Sequence, residues 1–267
     1  MTTTTQTGLG AIEASFADAI AERRATFMPF FTLGYPDMPT SLEAVEALVA
    51  AGADAIELGV PFSDPVADGP VIQHSSQVSL DRGTTVADCI SAVKTLRDRG
   101  ITVPLVLMGY VNPLLAYGLE RYAADSAAAG ASGFIVPDLP PEEAGELASA
   151  CTANGLALIP LLAPTSTPER IAQVTTHARG FVYLVSVTGV TGARDRLPQD
   201  LEAYTARVRA ITQLPLAFGF GISQPDQVRV LAKLADGIIV ASALIRLMED
   251  GGIPAIRALA EQLRAAC

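Results

Sequence analysis

Glu57 is an acid where an apolar residue belongs. It sits in the run Ala55-Ile56-Glu57-Leu58-Gly59, whose other members are apolar or glycine. Near-continuous hydrophobicity marks a strand covered on both faces. A carboxylate held there must be paired, hydrogen-bonded or neutral, because a lone buried charge is too costly. From position alone it reads as either a hydrogen-bonded structural acid or a general acid/base whose pKa burial has raised. The segment that follows, Val60-Pro61-Phe62-Ser63-Asp64-Pro65-Val66-Ala67-Asp68-Gly69-Pro70, holds three prolines and a glycine and adds two acids, Asp64 and Asp68. Loop acids usually serve turns and caps. Next to Glu57, at least one of this pair is a candidate for touching substrate.

Two further stretches suit an anionic ligand. Phe218-Gly219-Phe220-Gly221-Ile222-Ser223 offers glycines that let backbone approach a ligand. Gly237-Ile238-Ile239-Val240-Ala241-Ser242-Ala243-Leu244 places Ser242 where a short helix would open, and a helix N-terminus attracts phosphate. A third stretch, residues 186–194, is rich in small residues and suits a lid that closes on substrate. The missing side chains matter as much. The only lysines, Lys94 and Lys233, fall in helical stretches, which disfavours Schiff-base chemistry. His74 and His177 also fall in helical stretches, without partners at metal-ligand or triad spacing. The chemistry is left to carboxylates.

The elements that must position these residues alternate. Apolar strand-like runs cover 28–33, 55–58, 104–108, 133–136, 157–161, 181–185, 216–218 and 237–240. Helical segments with start and stop signals cover 40–51, 84–99, 140–153, 167–177 and 225–233, and an extra amphipathic helix over 11–24 is placed to plug the barrel bottom. Eight such units in 267 residues predict an α/β chain folded as one (β/α)8 (TIM) barrel over residues 1–267, with residues 1–10 as a flexible lead. In that fold the active site lies at the C-terminal ends of the strands, and phosphate binds after strands seven and eight. Glu57, its loop and both glycine-rich stretches therefore converge.

Composition narrows the function classes. Half the residues are hydrophobic, 17% are charged and the formal net charge is −10, with no basic block. Nucleic-acid binding is disfavoured. Cys89, Cys151 and Cys267 have no metal-like spacing, and the first two read as buried small hydrophobes in a reducing cytosol. The first ten residues lack a signal-peptide pattern, and no apolar run is long enough to span a membrane, so a cytoplasmic protein is expected.

The motifs resemble one family, the alpha chain of tryptophan synthase. The resemblance rests on the Pro29-Phe30-Phe31-Thr32-Leu33-Gly34-Tyr35-Pro36 stretch and on the block from Ala55 through Glu57 to Pro70. It continues with Met108-Gly109-Tyr110-Val111-Asn112-Pro113, Val136-Pro137-Asp138-Leu139-Pro140, Tyr183-Leu184-Val185-Ser186, Gly189-Val190-Thr191-Gly192 and Gly219-Phe220-Gly221-Ile222-Ser223. It spans the chain from about Ile12 to the last helix.

The resemblance implies retro-aldol cleavage of indole-3-glycerol phosphate to indole and glyceraldehyde 3-phosphate, a carbon–carbon lyase step in tryptophan biosynthesis that uses no metal or cofactor. Glu57 would protonate indole C3 and take the proton of the glycerol hydroxyl, and Asp68 would bind the indole N–H. Phosphate would be held by Gly192, Gly221 and Ser242, with Gly219, Phe220 and Ile222 shaping the site. Ala241 stands where the family usually has glycine, and its methyl would narrow the phosphate pocket. Indole would lie among Phe30, Met108, Ile135, Leu161, Tyr183, Val185 and Phe220, with Thr191 as the lid residue near Asp68. The partner implied is a pyridoxal-phosphate-dependent beta chain in an α2β2 heterotetramer, meeting residues 63–68, 112–117 and 140–143. A stand-alone lyase remains an alternative. A non-catalytic phosphate-binding regulator has no need of both acids, and an isomerase of this fold would need strand-end residues that the chain lacks.

Overall fold

The computed structural model describes residues 8–185, 200–219 and 221–267. The strands are β1 (Thr26–Thr32), β2 (Ile56–Gly59), β3 (Leu105–Met108), β4 (Gly133–Ile135), β5 (Ala157–Ile159), β6 (Leu161–Leu162), β7 (Val182–Val185), β8 (Leu216–Gly219) and β9 (Gly237–Val240). Every pair is parallel, and the order is β5-β4-β3-β2-β1-β9-β8-β7-β6. The two strands at the ends of that order are consecutive in the chain and separated only by Pro160. The sheet thus closes on itself as a barrel. Proline has no N–H to give a ladder, so the fifth of the eight expected strands is split in two. The Pro160 carbonyl still accepts the Tyr183 N–H at 2.9 Å.

The helices are α1 (Leu9–Ala21), α2 (Met38–Ala50), α3 (Pro70–Asp81), α4 (Val86–Asp98), α5 (Val111–Tyr117), α6 (Leu119–Ala129), α7 (Gly145–Ala153), α8 (Pro168–Thr175), α9 (Leu201–Arg209), α10 (Pro225–Leu231) and α11 (Ser242–Arg264). Their starts follow from local chemistry. The Asp37 side chain caps α2 through Thr40 N–H, and Thr85 with Asp88 forms a capping box on α4. Gln224 with Gln227 does the same for α10. The long α11 breaks at Gly252, whose φ of 63° lies in the region that favours glycine. None of the helices among the described residues is long and apolar enough to cross a membrane.

Three expectations need correction. The helix expected over 140–153 begins only at Gly145, because residues 141–144 form turns whose N–H groups reach back three residues, Glu143 to Pro140 and Ala144 to Pro141. Lys233 and His177 lie in the turns just beyond α10 and α8. Leu9 and Gly10, expected to lie in the lead, instead open α1, and Leu9 N–H binds the Gly155 carbonyl at 2.8 Å. That helix closes the end of the barrel away from the loops that follow the strands. Phe16 packs on Phe181 with centroids 5.3 Å apart, and a Cβ at Gly237 would stand 3.0 Å from the Phe16 ring.

Candidate active site

Glu57 lies in β2, paired across the barrel wall with Phe30 of β1 and Val106 of β3. Side chains alternate along a strand, and directly paired residues of parallel strands share a face. Gly59, Met108 and Ile135 form the next row on that face, nearer the strands' C-terminal ends. On the opposite arc Leu161, Tyr183 and Ala217 form one row, and Val185 with Gly219 the next. Two glycines make room for aromatic rings here. A Cβ at Gly59 would stand 2.4 Å from Phe30 Cζ, and one at Gly219 would stand 2.0 Å from Tyr183 Oη.

The two acids have unlike surroundings. Glu57 is 3% exposed, and its Oε2 has no hydrogen-bond partner among the described residues. Burial, with a smaller push from the Asp68 charge, raises its pKa to about 8. Asp68 is 4% exposed, but its Oδ2 accepts the Tyr110 hydroxyl at 2.8 Å. Burial raises its pKa to about 6, and the Tyr110 hydrogen bond acts in the opposite direction. Both charges, after burial itself, push the Tyr183 phenol upward, which brings Tyr183 into the same group. Near neutrality Glu57 is therefore mostly a proton donor and Asp68 mostly an anion. Asp64, the other loop acid, is exposed and accepts the neighbouring Ser63 hydroxyl. Of the loop pair, only Asp68 turns inward.

The glycine-rich stretches end at the same rim. Gly219 closes β8, Gly221 has a φ of 76° and Ile222 is buried. Ser242 is the first residue of α11, whose leading amides have no acceptor within the helix. Ala241 precedes it with a φ of −121°, outside the positive-φ region that favours glycine. No positive φ bars a methyl there, and its effect on a ligand is steric. Phe220, Thr191 and Gly192, with the rest of the expected lid, lie outside the described residues.

Tyr110 is the residue that sequence reasoning missed. It stands in a quoted motif, but nothing in its neighbours reveals a partner 42 positions away. The only available signal was its place directly beyond the end of an apolar strand, where loop residues meet substrate.

The chain matches the family model described as tryptophan synthase alpha chain over residues 16–266. A tryptophan synthase alpha chain of Chloroflexus aggregans is 53% identical over 238 residues, 89% of each chain. One of Roseiflexus castenholzii is 52% identical over 239 residues, 90% of this chain and 92% of the relative. A Mycobacterium tuberculosis tryptophan synthase structure superposes with a TM-score of 0.90 at 41% identity, covering 96% of this chain and 97% of its own. A Legionella pneumophila tryptophan synthase alpha chain gives 0.88 at 34% identity, covering 96% of each. The chain belongs to the tryptophan synthase alpha chain family.

Proposed function

We propose that this chain is the lyase of tryptophan biosynthesis that cleaves indole-3-glycerol phosphate to indole and glyceraldehyde 3-phosphate, with Glu57 and Asp68 as its catalytic pair. The observation that carries the assignment of roles is the contrast between two buried carboxylates at one strand end. One has no hydrogen-bond partner at Oε2 among the described residues, while the other receives a phenol hydroxyl.

The chemistry follows from that contrast. Glu57 gives its proton to indole C3, which turns the ring into an electron sink. Asp68 accepts the indole N–H and offsets the positive charge that develops on nitrogen. The glycerol hydroxyl loses its proton to the Glu57 carboxylate as the carbon–carbon bond breaks. The bonding electrons return the ring to aromatic indole, and the hydroxyl-bearing carbon becomes an aldehyde. No net proton is consumed.

Phe30, Met108, Ile135, Leu161, Tyr183, Val185 and Phe220 form the indole pocket in this reading. The phosphate sits on the Ser242 end of α11 with Gly192, Gly219, Gly221 and Ile222, and Thr191 is the lid residue near Asp68. The enzyme works in the cytoplasm. Its partner is a pyridoxal-phosphate-dependent beta chain in an α2β2 assembly. Val66 and Leu115, large apolar residues 71% and 55% exposed, sit on two of the three segments assigned to that contact.

Indole release from indole-3-glycerol phosphate tests the reaction, with the chain alone and then with a beta chain added. Release that rises with the beta chain is expected, and no release from folded protein under either condition would refute the reading. Glu57→Gln and Asp68→Asn should each lower turnover by roughly a hundredfold or more. Wild-type rates in either variant would remove that residue from its role.

A further inference from the structure

We infer that Tyr110 is a positioning residue that holds Asp68 as an anion and ties its loop to the barrel. This rests on the catalytic pair proposed above and adds a third member that acts through the second.

The hydroxyl is committed on both sides. It accepts the Ala67 N–H at 3.2 Å and donates to Asp68 Oδ2 at 2.8 Å. The amide occupies a lone pair of the phenol oxygen, so the phenol proton is left to point at the carboxylate. The Tyr110 ring also packs on Phe62, with centroids 5.4 Å apart. One side chain thereby contacts Phe62, Ala67 and Asp68, at the start and end of the same loop. Its own backbone is anchored beyond the loop, since Asp138 Oδ1 accepts the adjacent Val111 N–H at 2.9 Å. Burial and the neighbouring Asp68 keep the phenol protonated, so it remains a donor throughout the working pH range.

A hydrogen bond to the charged form of an acid favours that form. Glu57 Oε2 has no such donor among the described residues. One hydroxyl therefore helps to separate two carboxylates that burial would otherwise treat alike. Without it, Asp68 would hold its proton to higher pH and lose the charge that the indolium nitrogen needs.

The test is the pH dependence of kcat/KM for Tyr110→Phe, which removes the hydroxyl and keeps the ring on Phe62. The acid limb should move up by about one pH unit, with the alkaline limb unmoved. The loss relative to wild type should then be about tenfold greater on the acid limb than near pH 8. Site-specific Tyr110→3-fluorotyrosine makes the phenol a stronger donor and should move the acid limb down. It also keeps the proposal testable if the phenylalanine variant fails to fold. An unmoved acid limb in the fluorinated variant, or a rate loss uniform with pH in Tyr110→Phe, would overturn the assignment. Either result with an active wild type and an inactive Glu57→Gln variant leaves the proposed reaction standing. An inactive wild type defeats the reaction itself.

Discussion

At the scale of single residues, the site depends on two identical functional groups behaving differently. The proposed mechanism needs Asp68 ionised and Glu57 protonated, so kcat/KM should rise with pH through about 6 and fall again through about 8. A profile flat between pH 5 and 9 would contradict that division of labour. The same shift has a consequence for stability. A carboxyl whose folded-state pKa is raised favours the fold most below its ordinary value, and that advantage is lost as pH rises through the raised one. For Glu57 the window runs from its ordinary value of 4.5 to about 8. Glu57→Gln removes the buried charge, so it should gain stability on wild type as pH rises across that window, by an amount on the order of a few kcal/mol at most. Denaturant melts at pH 5 and pH 9 check this, and a gain that does not grow with pH would show that the carboxylate is solvated. Glu57 was legible in the sequence because an acid interrupts an apolar run. Tyr110 was not, because a tyrosine next to a strand reads as an ordinary amphipathic residue and its partner is set by tertiary packing alone.

At the scale of elements, the strands were the legible part, because parallel strands buried on both faces have no polar alternation to confuse them. The helices were less so, for reasons visible in their buried faces. Helix α3 turns Ser75, Ser76 and Ser79 inward, where Ser75 Oγ meets Thr32 Oγ1 at 2.7 Å and Ser79 donates to the Leu33 carbonyl. A helix whose inner face is satisfied by hydrogen bonds shows little apolar periodicity. The helix expected from residue 140 becomes α7 only at Gly145, because Pro140 and Pro141 serve the turns before it. The strand ends also carry requirements that sequence does not display. Gly59 closes β2 where the Phe30 ring crosses it, so Gly59→Ala must push that ring toward the barrel axis, into the space assigned to indole. That overpacking should cost about 1–3 kcal/mol of stability and lower kcat/KM by about tenfold or more. Pairing it with Phe30→Leu should recover the stability. Unchanged melting and kinetics in Gly59→Ala would mean that the ring has room to move elsewhere.

At the scale of the whole molecule, the two ends of the barrel are built for different tasks. One end is closed by α1, whose Ile12 and Phe16 are buried against the interior glycines and Phe181. The other end carries the acids, the glycine-rich rim and two exposed apolar side chains, Val66 and Leu115, in the loop after β2 and on α5. Apolar residues scattered singly over a surface need no explanation. These two sit at the end proposed for the reaction, on segments proposed to meet the beta chain, so a partner docked there would bias the Asp68 loop directly. Ile20, also exposed at 53%, lies on α1 at the closed end and serves as the control. Leu115→Asp should leave the melting point and the lone chain's rate almost unchanged, because an exposed substitution costs within about 0.5 kcal/mol. It should weaken beta-chain stimulation by about tenfold or more, since the new carboxylate would be buried unpaired at the contact. Ile20→Asp should leave stimulation intact. Equal stimulation of both variants would move the contact away from α5, whereas equal loss in both would show that the effect is a general response to added negative charge on a chain that already carries −10.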